Sequence, residues 1–121
     1  MAAATITKVA IPNSSAGYNL TDSAGFTTLV AGSGNGVKFT YEQQLVVVLK
    51  NDSGGAAVFT FKTILAGGYS SYGVTATNPT LTLATGKTYL WRPNTIFRDS
   101  SSFVTIECDV AGKALVLDPN G

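Results

Sequence analysis

Gln44-Leu45-Val46-Val47-Val48-Leu49-Lys50, then Asn51-Asp52-Ser53-Gly54-Gly55, then Ala57-Val58-Phe59-Thr60-Phe61-Lys62-Thr63-Ile64, is the stretch on which the reading of the fold turns. Leu45 to Leu49 is apolar at every position. A strand built from it needs cover on both faces, which places it centrally in a sheet. Val58 to Thr63 alternates instead, with Phe59 and Phe61 on one face. The intervening Asn, Asp, Ser and Gly are turn chemistry, so the two runs together predict a β-hairpin.

The same rhythm continues in both directions. Upstream, Thr5 to Ile11 reads as a strand stopped by Pro12-Asn13, Phe26 to Ala31 as another, and Val37 to Tyr41 as a short third. Gly32-Ser33-Gly34-Asn35-Gly36 between the last two must turn, because only glycine accepts repeated positive φ without strain. Downstream, Leu65 to Asn78 is rich in Gly, Ser and Tyr and reads as a long surface loop. Thr80 to Ala84 turns through Thr85-Gly86-Lys87 into Thr88 to Trp91, Pro93-Asn94 interrupts, and Ile96-Phe97 closes that edge. Phe103 to Val110 and Lys113 to Leu117 predict a last hairpin around Ala111-Gly112, with Asp118 to Gly121 a frayed tail.

No window shows a 3.6-residue apolar period, and no repeat or composition break divides the chain. The expectation is an all-β fold, a single-domain β-sandwich or barrel of short antiparallel strands over residues 1–121. Residues 1–11 are read either as an extended N-terminal arm or as an edge strand of that domain.

Charge and composition narrow the chemistry. Only 12% of the 121 residues are charged, the net charge is +1, and histidine is absent. About a quarter is usual for charged residues. The chain therefore lacks the commonest general base and metal ligand. Its basic residues are spread along the sequence, so neither nucleic acid nor a membrane surface is expected as a partner. Met1 to Lys8 lacks the basic and sustained apolar segments of a signal peptide, and synthesis in the cytoplasm is expected.

Individual residues follow suit. Cys108 lies in the alternating run Phe103-Val104-Thr105-Ile106-Glu107-Cys108-Asp109 and reads as a small buried hydrophobe, since no imidazole is present to make it a nucleophile. The glycines at 32, 34 and 36 lack the spacing, the Lys-Ser/Thr and the helix of a phosphate-binding loop. Glu107 and Asp109 share a strand face, the ordinary outcome for a solvated strand, and the acids otherwise stand singly. No catalytic residue, metal ligand or cofactor is expected.

Tyr89-Leu90-Trp91-Arg92-Pro93, with Ile96-Phe97-Arg98, carries the residue types most enriched at protein interfaces. Trp91, Arg92, Phe97 and Arg98 are accordingly candidate interface residues. Trp91 is open to two readings, an interface anchor or cover for the rim of a core filled by Leu90 and Phe97. Tyr69 and Tyr72, in their Gly-Ser setting, are further candidates. Ile6 joins them if the apolar N-terminal segment adds a strand to another protein.

Taken together, the Ala/Thr-rich start (Met1 to Thr7), the stretch Gln44 to Val58, Ala84-Thr85-Gly86-Lys87-Thr88 leading to Arg92-Pro93 and Phe97, and the strand Phe103 to Asp109 resemble the small β-rich capsid decoration (cement) proteins of tailed bacteriophages. The resemblance spans about two-thirds of the chain and rests on strand and turn patterns, with no invariant chemical motif and no long Pro-rich arm. It implies a non-enzymatic virion structural protein on the outer capsid surface, with the major capsid protein as partner. It also implies stabilisation of contacts between capsomers and a homo-oligomer, a trimer above all. The rival readings are a head-completion, tail or fibre component and, from another class, a carbohydrate-binding module stacking sugars on Trp91, Tyr69 and Tyr72.

Overall fold

Burial along the chain keeps the period of two that strands require. In Phe103–Cys108, Val104, Ile106 and Cys108 are buried while Phe103, Thr105 and Glu107 are half-buried, and in Ala57–Phe61 the buried set is Ala57, Phe59 and Phe61. The computed structural model describes residues 4–10, 26–32, 34–63, 77–99 and 101–118. Among them are ten strands: β1 (Ala4–Thr5), β2 (Val9–Ala10), β3 (Thr27–Thr28), β4 (Val37–Thr40), β5 (Val46–Lys50), β6 (Ala57–Phe61), β7 (Thr80–Leu83), β8 (Thr88–Trp91), β9 (Phe103–Cys108) and β10 (Lys113–Asp118). A 3-10 turn covers Thr95–Phe97.

The strands form two sheets packed as a β-sandwich. One has the order β1-β4-β9-β6-β7 and the other β2-β10-β5-β8, with β3 also paired to β10. From β4 to β10 the chain changes sheet at every step except between β6 and β7. With β2 and β3 sharing one edge of β10, this is the double Greek-key strand order of a jelly roll. The pairings among β4 to β10 are antiparallel, whereas β1 on β4 and β2 on β10 are parallel additions.

This order overturns the expected hairpins. β5 and β6 lie in opposite sheets, as do β9 and β10, so Asn51 to Ala56 and Asp109 to Gly112 are arches across the sandwich. Thr85-Gly86-Lys87 arches likewise from β7 to β8. The physical reason is visible at Asn51, which is fully buried at the corner. Its Nδ2 donates to Gly55 O and Leu83 O, both at 2.8 Å, and its Oδ1 accepts from Ser53 N at 3.0 Å and Ser53 Oγ at 2.6 Å. Its backbone N–H donates to Lys87 O at 3.1 Å, and its carbonyl accepts from Gly86 N at 2.6 Å. One side chain thus holds its own arch in shape and ties it to the neighbouring β7–β8 arch. Gly112 serves the third arch, since a Cβ there would come within 2.7 Å of the Phe59 ring.

The core between the sheets is built by Val37, Phe39, Leu45, Val47, Leu49, Phe59, Val104, Ile106, Ala114 and Val116, all at 1% exposure or less. Burial of each of the larger side chains is worth about 1.5–3 kcal/mol. β5 is covered on both faces as its sequence requires: Val47 and Leu49 face the core, while Val48 joins Leu115 and Leu117 in a second cluster against Phe26 on the outer face.

The first expected strand is also corrected. Thr5 to Ile11 is not continuous; β1 joins one sheet and β2 the other. Between them Ile6 enters the core and Lys8 Nζ bridges Glu42 Oε2 at 2.9 Å and Asp118 Oδ2 at 3.0 Å. These contacts carry the backbone across the open side of the sandwich. Only Thr27–Thr28 of the expected Phe26 to Ala31 strand is paired, with Leu29 dropping into the core. Asp118 closes β10 with its buried carboxylate paired to the exposed Lys8 instead of opening a frayed tail. The expected loop falls largely on residues 64–76, outside the described residues.

Candidate interaction surface

Among the described residues β8 is the last strand of its sheet, bonded to β5 alone. Its register pairs Thr88 with Lys50, Tyr89 with Leu49, Leu90 with Val48 and Trp91 with Val47. The bond from Asn51 N to Lys87 O sets the phase of the antiparallel ladder. Backbone groups alternate in such a ladder, so Tyr89 and Trp91 face β5 while Thr88, Leu90 and Arg92 turn theirs outward. Among the described residues nothing pairs with β8 on that side.

The other edges differ. β1 covers β4, and β2 and β3 together cover the far side of β10. β7 ends the first sheet but presents the exposed threonines Thr80 and Thr82.

Apolar exposure gathers at β8 and the 3-10 turn that follows it. Tyr89 is 38% exposed, Leu90 60% and Ile96 36%, three of the four large hydrophobics exposed among the described residues. Leu90 ends an outer-face row that continues through Val48 and Leu115, both buried. The row is therefore covered over its inner two-thirds and open at the edge.

The candidate residues separate into two groups. Trp91 turns inward: its ring lies 4.4 Å from Phe61, tilted, and 4.9 Å from Phe97, edge-on. Phe97 packs against the same core. These two hold the 3-10 turn onto the sandwich, helped by Asn94 Oδ1, which accepts from Ile96 N at 3.0 Å. With both neighbours engaged, Trp91 is core rim more than open platform. Arg92 and Arg98 are exposed; Arg92 Nη2 donates to Gln43 O at 3.4 Å, and Arg98 stacks 5.6 Å from the Tyr41 ring. Ile6 is withdrawn from the surface, being 8% exposed and part of the core. Tyr69 and Tyr72 lie outside the described residues.

Leu90 was not among the expected interface residues, and one of the two readings of Trp91 put it in the core. The signal was present, because a strand that turns Trp91 inward must turn Leu90 outward.

Reactive and charged groups are engaged elsewhere. Cys108 is 2% exposed, and desolvation, with Asp109 adding to it, pushes its thiol up from the usual range. Gly34 N donates to Glu107 Oε2 at 2.8 Å, and Val58 N to Asp109 Oδ1 at 2.8 Å, so these carboxylates hold loop and strand backbone in place. They border a trough of about 520 Å³ on the outer face of the first sheet, together with Thr60, Lys62 and Asn78. Asn78 Oδ1 in turn accepts from Thr63 N at 2.9 Å. Lys8 is raised above its ordinary value by its hydrogen bonds to Glu42 and Asp118. Among the described residues no three His, Cys, Asp or Glu side chains gather as metal ligands, and no helix is long and apolar enough to cross a membrane. No family model, curated protein or solved structure matches the chain.

Proposed function

We propose that this chain is a non-enzymatic virion structural protein, a decoration or cement protein that binds the outer shell of a phage capsid and stabilises contacts between capsomers. Its partner in this reading is the major capsid protein, and its working form a homotrimer, made in the host cytoplasm and ending on the virion surface. The observation that carries the reading is the exposed apolar surface of Tyr89 and Leu90 on the open edge strand β8, with Ile96 exposed on the 3-10 turn that follows, in a charge-poor β-sandwich. The resemblance of the strand and turn pattern to decoration proteins gives that adhesive edge a place to act.

The physics of the role is simple. A cement protein acts by folding reliably and burying area across several subunits. A trimer gripping several sites gains affinity through effective concentration, about 10²- to 10⁴-fold for a linked pair. Co-sedimentation with purified immature and expanded shells tests the reading. Saturable binding to the expanded shell is expected; failure to bind either form overturns it. Specific recognition on a glycan array would favour the carbohydrate-binding module instead.

A further inference from the structure

The charge distribution around β8 is one-sided. Between Asp52 and Asp99 the sequence contains no acidic residue, while Lys62, Lys87, Arg92 and Arg98 all fall there. Lys62 faces Glu107 at 3.9 Å. Lys87, Arg92 and Arg98 have no carboxylate within salt-bridge distance among the described residues. Lys87 and Arg92 flank the four residues of β8 on either side. The edge therefore combines outward backbone groups at Thr88 and Leu90, an exposed apolar side chain at Leu90 and an unmatched positive charge at each end.

Resting on the virion reading above, we propose that β8 receives an extended segment of the shell subunit that is apolar at alternate positions and acidic at its ends, added as a further strand of the β2-β10-β5-β8 sheet. Main-chain hydrogen bonds to Thr88 and Leu90 supply the pairing, and Leu90 with the outer-face row supplies the apolar contact. Lys87 and Arg92 select the acidic ends and exclude basic ones. A second copy of this chain fits the edge poorly. Two β8 strands paired antiparallel through Leu90 about a two-fold axis set Arg92 of each copy opposite Thr88 of the other, one position from its Lys87, so each end of the pair gathers two cations that repel.

A synthetic probe tests this without capsids: the full chain, 15N-labelled, is titrated with acetyl-Glu-Thr-Val-Thr-Val-Thr-Glu-amide. The amides of Thr88, Leu90 and Arg92 are expected to shift and to exchange more slowly. The version with lysine at both ends should bind at least tenfold more weakly, and this preference should fade as salt rises from about 50 to about 500 mM. Leu90→Pro removes an outward N–H and leaves the β5 side of the ladder intact, as edge positions allow, so it should abolish peptide binding in a folded protein. The double variant Lys87→Glu/Arg92→Glu should reverse the preference toward the lysine peptide. No binding, shifts confined to other strands, or equal affinity for both peptides overturns the inference. With shells the outcomes separate. Failure of the unaltered protein to bind shells overturns the virion reading, and the edge is then judged on the peptides. Shell binding left unchanged by both variants overturns the edge as the shell contact.

Discussion

Replacing Asn51 with alanine removes the tie between two arches, and its cost follows from the bonds it makes. Two carbonyls, Gly55 O and Leu83 O, lose a donor, and Ser53 N loses an acceptor. The bond to Leu83 O is buried, and losing it leaves that carbonyl with only its ladder partner, Ala57 N, at about 0.5–1.5 kcal/mol. The groups at Gly55 and Ser53 lie nearer solvent and can bind water, adding about 1 kcal/mol between them. The expected loss is about 1.5–2.5 kcal/mol in urea unfolding followed by tryptophan fluorescence. Asn51→Asp sharpens the test because it keeps the acceptor but loses the donor. Burial beside two carbonyls raises the aspartate pKa in the folded state. The deficit of that variant should then be smallest below the unfolded value of about 3.9 and grow as pH rises above it. A loss under about 0.5 kcal/mol for Asn51→Ala, or an Asn51→Asp deficit independent of pH, would refute the corner as the reason the chain arches.

Three further outcomes are expected. Gly36 has φ +94°, and a Cβ there would collide with the Ile106 carbonyl, whereas Gly34 at φ +83° has open space around it. Gly36→Ala should cost more than about 3 kcal/mol and Gly34→Ala about 1–2 kcal/mol in chemical denaturation, equal costs arguing against the close approach of that loop to β9. Lys8, raised by Glu42 and Asp118, adds stability that is complete below its unfolded pKa of 10.5 and disappears as pH climbs through the higher folded value. The melting-temperature gap between the wild type and Lys8→Met should therefore hold from neutral pH to about 9 and close at more alkaline pH; a gap unchanged there contradicts the bridge. Cys108, buried with its thiol pushed up, should react with a thiol reagent only at the rate of unfolding, and rapid native labelling would contradict its placement.

Strand positions were legible in the sequence because alternation and turn chemistry act locally. Leu45 to Leu49 announced a strand covered on both faces, and Phe59 with Phe61 announced a core face. Sheet membership was not legible. Asn-Asp-Ser-Gly-Gly suits a hairpin and an arch equally well, and the choice is made by Asn51 bonding to Leu83 O, 32 positions away. The N-terminal segment shows the same limit. The seven residues from Thr5 to Ile11 read as one strand, but Ile6 enters the core and Lys8 finds partners on Glu42 and Asp118, splitting the run between sheets. At the candidate surface the stretch from Tyr89 to Arg98 was singled out for its composition. Which of its residues face outward depended on Trp91 meeting Phe61 across the sandwich, a contact no local pattern contains.

In the proposed role the protein works as a built-in part of a particle, through area and edge. Quantitative mass spectrometry of purified, finished virions tests it most directly, by measuring copies of this chain against copies of the shell subunit. The account expects a fixed ratio of the same order as the shell subunit itself, retained through gradient purification. A chain abundant in infected cells and missing from the particles would contradict it.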